Sequence, residues 1–380
     1  MDKQKHILIV AGETSGDLNA AALVKAIKAM DPSVKFSAVG GTFLKAAGAS
    51  IFHDIKGLSV IGLFDVLLKL PKFLNLKTEI LKKIKSEKPD AIILVDFSGF
   101  NLRLAKSINK AIPVIYYISP QIWASRQGRA ETIKKFVDKM VVFFEFEREF
   151  YNKYGISTDF VGHPLLDIVR PVLQKKDFFF RLNLDSSKIT VALLPGSRVQ
   201  EINNILPVML KSAALINHDL GKVQFLIAKP AQVDIGIYNR IIGNRGLDLR
   251  IVEGMTYDTL AAADFCLVAS GTATLEATII GSPFAVIYKM NLLNYLLYRP
   301  QVKVPFIAMA NIVAKKRVVS EFIQFRASPG DIAKEALRII KSSSEAKNLK
   351  DELAAVRLAL GEEGASARAA KVILDFLRRN

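Results

Sequence analysis

Several short stretches of this chain carry residues that can do chemistry, and each begins where an apolar, strand-like run stops. Asp96 follows the run 91–95 directly. A carboxylate at the carboxyl end of a central strand faces the side where open α/β sheets bind ligands, and it can act as a general base. It could equally cap the next turn. Gly12-Glu13-Thr14-Ser15-Gly16-Asp17 follows the run 7–11. Its glycines allow a sharp turn and close approach of a ligand. Glu13 disfavours phosphate here and suits a bond to a sugar or an acceptor hydroxyl, while Ser15 or Asp17 could serve only as a helix cap. The spacing G-x-G-x-x-G is absent, which counts against a dinucleotide enzyme.

The second half repeats the arrangement with a different charge. Leu194-Pro195-Gly196-Ser197-Arg198 joins a strand to a helix. Gly196 and Ser197 lie where free N–H groups and the helix dipole favour an anion, and Arg198 adds a guanidinium. Ser270, Gly271 and Thr272 introduce another helix, with Glu276 one turn further in, within reach of the vicinal hydroxyls of a ribose. Two anion-friendly helix starts with an acid in reach point to a nucleoside diphosphate; a pair of tight strand–helix turns is the alternative. Neither loop has the spacing or the lysine of a Walker loop.

Other reactive residue types are few. His163, in Val161-Gly162-His163-Pro164, reads as a hinge turn rather than a catalyst. Cys266 is the single cysteine, set in the apolar run 265–268, so it reads as a buried thiol and no intrachain disulfide can form. Trp123 lies beside Arg126 and Arg129, which could pair with an acidic substrate group or form a solvated face. No cluster has metal-ligand spacing, so no metal and no cofactor is expected.

The elements that must position these loops alternate. Strand-like runs are predicted at 7–11, 36–39, 91–95, 114–118, 139–143 and 158–161, then at 189–194, 224–228, 249–252, 265–269 and 284–288. Helical patterns at 18–30, 73–85, 101–110, 202–217 and 272–280 separate them. Such alternation means parallel βαβ units with buried sheets. Two successive sets in 380 residues imply two doubly wound domains: 1–170 first, a charged linker at 171–188, a second domain at 189–332, and C-terminal helices at 333–380 that pack back across the junction.

With 53 Lys and Arg against 36 Asp and Glu, the net charge of +17 favours anionic partners. Basic residues interleaved with aromatics, or a known nucleic-acid module, are not found, so nucleic acid is not expected. No run reaches the roughly 18 apolar residues of a membrane span, and the N-terminal run is too short for a secretory signal. The expected location is cytoplasmic. The segment 63–76 (LFDVLLKLPKFLNL) is apolar on more than one helix face and is followed by lysines. Leu63, Val66, Leu67, Leu70, Phe73 and Leu74 are the expected contacts with an anionic membrane surface, with Pro71 breaking or kinking the helix. A core helix with a basic outer face is the competing account.

Together these segments resemble the lipid A disaccharide synthase family. The resemblance is carried, in order, by GETSGD at 12–17, LSVIGLFDVL at 58–67, SPQIWASR at 119–126, VGHP at 161–164, LPGSR at 194–198 and SGTATLE at 270–276. It implies a GT-B fold, with two Rossmann-like domains, acceptor side first and nucleotide side second. It implies an inverting, metal-independent glycosyltransferase that joins UDP-2,3-diacylglucosamine to 2,3-diacylglucosamine 1-phosphate through a β-1,6 bond and releases UDP, working peripherally at the cytoplasmic face of the inner membrane. By this resemblance Asp96 is the catalytic base, Glu13 and Ser15 belong to the acceptor-side first loop, and Arg198, Glu276 and Asn311 serve the donor. Gly99 and Ser125 depart from the usual family residues. Other GT-B enzymes on UDP-GlcNAc, namely the peptidoglycan N-acetylglucosaminyltransferase and the UDP-GlcNAc 2-epimerase, are the rival readings, as is a basic nucleic-acid-binding protein. Oligomeric state is left open.

Overall fold

Strands buried on both faces read as unbroken apolar runs, and HILIVA, AIILV and FCLVA form such strands. The computed structural model describes residues 4–56, 58 and 70–379. The chain divides into two compact units. One takes in the chain up to Asp167 and again from Leu360; the other spans Ile168–Ala359.

The first unit holds β1 (His6–Ala11), β2 (Lys35–Gly40), β3 (Ser50–Asp54), β4 (Ala91–Val95), β5 (Val114–Tyr117), β6 (Lys139–Val142) and β7 (Thr158–Phe160). They form one parallel sheet in the order β3-β2-β1-β4-β5-β6-β7. The second unit holds β8 (Ile189–Leu194), β9 (Val223–Lys229), β10 (Leu249–Glu253), β11 (Phe265–Ala269), β12 (Phe284–Tyr288) and β13 (Glu321–Ile323), also parallel, in the order β10-β9-β8-β11-β12-β13. In each sheet the order reverses beside the first strand, so each unit has a switch point, at β1/β4 and at β8/β11. The edge strands β3 and β13 were not among the sequence expectations. Both are short and half-buried, so neither carries an apolar run.

The segment 171–188, expected as a linker, is part of the second unit. Asp258 accepts hydrogen bonds from the backbone N–H of Val172 and Leu173 at 2.8 and 2.7 Å. The helix Lys175–Arg181 buries Phe178 and Phe179 against Leu226, Val252 and Ala262. Two adjacent buried rings outweigh the charges, which stay on the outer face. The helices Pro329–Ile340 and Ser343–Ala359 also belong to the second unit; only the last helix, Ala365–Arg379, returns to the first, where it packs against the helix Thr14–Met30.

A clasp marks that return. Gly162 has φ +80°, and a Cβ there would lie 2.8 Å from Arg368 Nη2. Arg368 donates to the carbonyls of Val161, Glu363 and Glu362. Leu360 O accepts from the His163 N–H at 2.9 Å, and Asp167 accepts from the Gly364 N–H.

Of the expected membrane segment, Leu63, Val66 and Leu67 lie outside the described residues. Downstream, a helix runs Leu70–Glu87 with Pro71 in its first turn, where proline is tolerated; the chain on the N-terminal side of Pro71, where the expected break would fall, lies outside the described residues. Leu70 and Leu74 are 39% and 51% exposed. Phe73 is not a free apolar contact: its ring lies 5.7 Å from Phe97 and 6.1 Å from Phe100, at the margin of the first unit's core. Among the described residues no helix is long and apolar enough to cross a membrane.

Candidate active site

In the first unit, β1 and β4 lie side by side with Ala11 opposite Val95. Their adjacent ends bring Glu13 and Asp96 together. Asp96 and Phe97 both take the left-handed backbone conformation, with φ +47° and +44°, a shape that costs free energy for residues with a Cβ. The turn is held from two sides. Tyr116 donates its hydroxyl to the Asp96 carbonyl at 2.6 Å, and Asn101 Nδ2 donates to the same carbonyl at 2.9 Å. Backbone groups are thus consumed in fixing the turn, and the Asp96 carboxylate is left at its crest, half-buried.

Burial and then the negative charge of Glu13 push the Asp96 carboxyl up to about 6, against the opposing pull of the Phe97 N–H. A carboxylate so raised is a stronger base than an ordinary aspartate and is still mostly ionised at neutral pH.

The neighbouring loop residues divide differently from the sequence expectation. Gly12 is required less by a ligand than by Phe97, whose Cδ1 would lie 2.2 Å from a Cβ at position 12. Glu13 is the first residue outside the helix Thr14–Met30 and makes no side-chain capping bond. Ser15 is exposed. Asp17, 1% exposed, caps another element altogether: it accepts from the N–H groups of Gly41, Phe43 and Leu44 at the start of the helix Thr42–Ala46. Trp123 is buried and donates to Glu147 at 3.1 Å. Burial raises the Glu147 carboxyl to about 7, with bonds from Trp123 and the Phe143 and Phe144 N–H groups opposing the shift. His163 Nδ1 accepts from the Leu165 N–H, and burial depresses its pKa to about 4, so it is neutral at physiological pH.

In the second unit the ends of β8 and β11, again neighbours, open a pocket of about 380 Å³. Gly196, Ser197, Arg198, Ser270, Gly271, Thr272 and Glu276 all line it, so the structure gathers nearly the whole expected donor set. Gly196 and Gly271 have φ +111° and +149°, conformations that favour glycine. Burial raises the Glu276 carboxyl to about 7, opposed by a hydrogen bond with the Tyr257 hydroxyl. Asn311 is not part of this gathering. It is 0% exposed, and its amide is consumed: Nδ2 donates to Val319 O and Glu321 Oε1, and Oδ1 accepts from the N–H groups of Val318 and Val319. Its work is to hold the approach to β13, together with Glu321, which accepts from the N–H groups of Ile307 and Ala308.

Two polar lining residues escaped sequence reasoning. Glu201 accepts from the Ser197 N–H at 3.1 Å and the Arg198 N–H at 3.4 Å, and lies 3.4 Å from Arg198 Nη1. Its spacing of three from Arg198 was a capping-box signal, masked because the first position holds Arg instead of Ser or Thr. Thr256 also lines the pocket. It is the first residue of the helix Thr256–Ala262, far along the chain, with no motif to single it out.

A family model described as lipid-A-disaccharide synthetase matches residues 7–374. The chain belongs to the lipid-A-disaccharide synthase family. It is 42% identical over 378 residues to the lipid-A-disaccharide synthase of Syntrophus aciditrophicus (strain SB), covering 99% of both chains, and 38% identical to that of Myxococcus xanthus (strain DK1622), again covering 99% of both. It is therefore a glycosyltransferase of lipid A biosynthesis. Solved structures share the fold. The glycosyltransferase of kitacinnamycin superposes with a TM-score of 0.67 at 13% identity, covering 99% of this chain and 100% of that one. An S. aureus MnaA–UDP structure gives 0.66 at 12% identity, covering 98% and 97%. Two parallel Rossmann-like units make this the GT-B fold. Likeness at such low identity shows the fold alone; the family is set by the full-length relatives.

Proposed function

We propose that the chain transfers a 2,3-diacylglucosaminyl group from its UDP derivative to the 6-hydroxyl of 2,3-diacylglucosamine 1-phosphate, with inversion, releasing UDP. The observation that carries this reading is the Asp96 carboxylate, held on a strained turn at the end of β4 and raised to about 6 beside Glu13. Asp96 takes the proton of the acceptor hydroxyl as its oxygen attacks the anomeric carbon. The C–O bond to the diphosphate breaks, and UDP leaves with the bonding pair. A positioned base contributes about 10²–10⁴-fold. Glu13 and Ser15 orient the acceptor.

In the second unit, Gly196, Ser197 and Arg198 with Ser270, Gly271 and Thr272 receive the diphosphate. Preorganised donors of this kind act on charge that develops in the transition state. Glu276 accepts from the ribose hydroxyls. Negative charge on the leaving group is thus met by N–H groups and a guanidinium, and no metal is needed. Leu70 and Leu74, exposed on the helix that leads toward Asp96's aromatic neighbours, belong to a contact with the anionic cytoplasmic face of the inner membrane, from which acylated substrates must be drawn.

Mass spectrometry of the products from UDP-2,3-diacylglucosamine and 2,3-diacylglucosamine 1-phosphate tests this reading. The disaccharide 1-phosphate is expected from the wild type with or without EDTA, and from Asp96→Asn about 10²–10⁴-fold more slowly. Turnover of unacylated UDP-GlcNAc instead would favour the rival enzymes.

A further inference from the structure

The anion-binding donors of the Gly196–Arg198 turn in the second unit's pocket are already engaged from within the chain. Glu201 Oε2 accepts from the N–H groups of Ser197 and Arg198, and Oε1 faces the Arg198 guanidinium. A Cβ at Gly196 would lie 2.5 Å from Oε2 and 2.9 Å from the Glu201 Cβ, so the glycine turn is fitted closely around this carboxylate. Two amides and a guanidinium converging on a pair of anionic oxygens is the pattern that a phosphate would receive at the same place. Glu201 also lines the pocket with Ser270, Gly271 and Thr272. A diphosphate reaching Gly196–Arg198 therefore meets a carboxylate of like charge that holds the donors it needs.

We propose that Glu201 is a built-in competitor for the donor's diphosphate. It keeps the Gly196–Arg198 turn in binding shape and must yield its hydrogen bonds to the incoming phosphate. It thereby lowers the affinity for anionic nucleotide and favours release of the product. The proposal rests on the nucleotide reading of this pocket. It adds a determinant of affinity, acting against binding, to the residues that act for it.

Glu201→Gln keeps the shape and one accepting oxygen but removes the charge. Isothermal calorimetry on the full-length protein should show UDP and inorganic pyrophosphate bound more tightly than by the wild type, by about five-fold or more, the scale of one like-charge contact about 4 Å apart in water. Uridine, read as a competitor of UDP, should be unaffected, because it carries no charge. Thermal melting without ligand reports any loss of the helix cap. If Glu201→Gln melts too low to assay, Glu201→Asp, which withdraws the carboxylate by one methylene, should shift affinity in the same direction by less. Unchanged or weaker UDP binding in these variants, or an equal gain for uridine, overturns the proposal. Arg198→Ala separates the two levels: if it leaves UDP affinity unchanged, the nucleotide reading itself fails; if it weakens UDP while Glu201→Gln does nothing, only the role of Glu201 fails.

Discussion

Phe97 lies across the α-carbon of Gly12, so near that a Cβ there would fall 2.2 Å from the ring's Cδ1. The contact ties the first strand–helix turn to the turn that carries Asp96. Phe97 is in turn packed at 5.3 Å from Phe100 and 5.7 Å from Phe73, so it has little room to retreat. Gly12→Ala should displace Phe97 and tilt the neighbouring Asp96 carboxylate. A misplacement near 1 Å can cost on the order of 10²-fold in rate. Steady-state kinetics should show that loss in kcat, with UDP affinity, read by calorimetry, unchanged.

The pH profile follows from the shared charge of Asp96 and Glu13. A base with pKa about 6 is active when ionised, so activity should rise with pH through that value. Glu13→Gln removes the repulsion that helps to raise it, and the acidic limb should move to lower pH. For stability the sign is opposite. A carboxyl raised on folding holds its proton longer in the native state, so its contribution is most favourable below its unfolded pKa and is lost as pH rises through about 6. Thermal melting of Asp96→Asn should accordingly lose that part of the pH dependence. A kcat profile whose acidic limb is the same in wild type and Glu13→Gln would break the link between the two residues.

For the nucleotide, Arg198→Ala should weaken UDP binding through loss of charge-assisted bonds worth about 1.5–3 kcal/mol, and Glu276→Ala should weaken it as well. Because burial holds Glu276 near 7, UDP affinity in the wild type should improve as pH rises through that value, if the ionised form accepts from the ribose. Asn311→Ala should behave differently. It strands the buried N–H of Val319, at about 1–3 kcal/mol, and removes the acceptor of the half-buried Val318 N–H, so its signature is a lower melting temperature. Calorimetry and melting on the same three variants separate the classes.

At the membrane, Leu70→Ser with Leu74→Ser should reduce co-sedimentation with anionic vesicles and leave the melting temperature nearly unchanged, since both side chains are exposed. Phe73→Ser should do the reverse. It removes a ring packed on Phe97 and Phe100 and should lower the melting temperature. Binding that survives the double leucine variant would move the membrane contact elsewhere.

What could be read from residues alone followed burial. AIILV and FCLVA are strands because nothing but apolar side chains fits between two helical layers. The loops at their ends were legible as well, because glycine and small hydroxyl residues at a strand–helix junction have few other uses. SIFHD and EFI, at sheet edges, show no such run. The segment 171–188 was misread because its charges are conspicuous and the burial of Phe178 and Phe179 is a tertiary fact. Asp17, Asn311 and Glu201 show a second limit. Each is a polar residue within or near a motif, and only its partners tell whether it serves a ligand or the backbone. Asp17 and Asn311 serve the backbone, and Glu201 holds the very N–H groups that a ligand would seek.

The clasp at Gly162 and Arg368 also has a consequence for synthesis on the ribosome. The first unit lacks its last helix until residues 168–359 have been made, which at 5–20 residues per second takes roughly 10–40 s. During that interval the face of the helix Thr14–Met30 that packs against the last helix has no cover, and the last helix, with its buried Ala369, Ile373 and Leu374, is still to be made. The nascent first unit is thus expected to be a client for chaperones that shield exposed apolar surface. Chains stopped near residue 359 should accumulate in the insoluble fraction, even though both sheets are then complete.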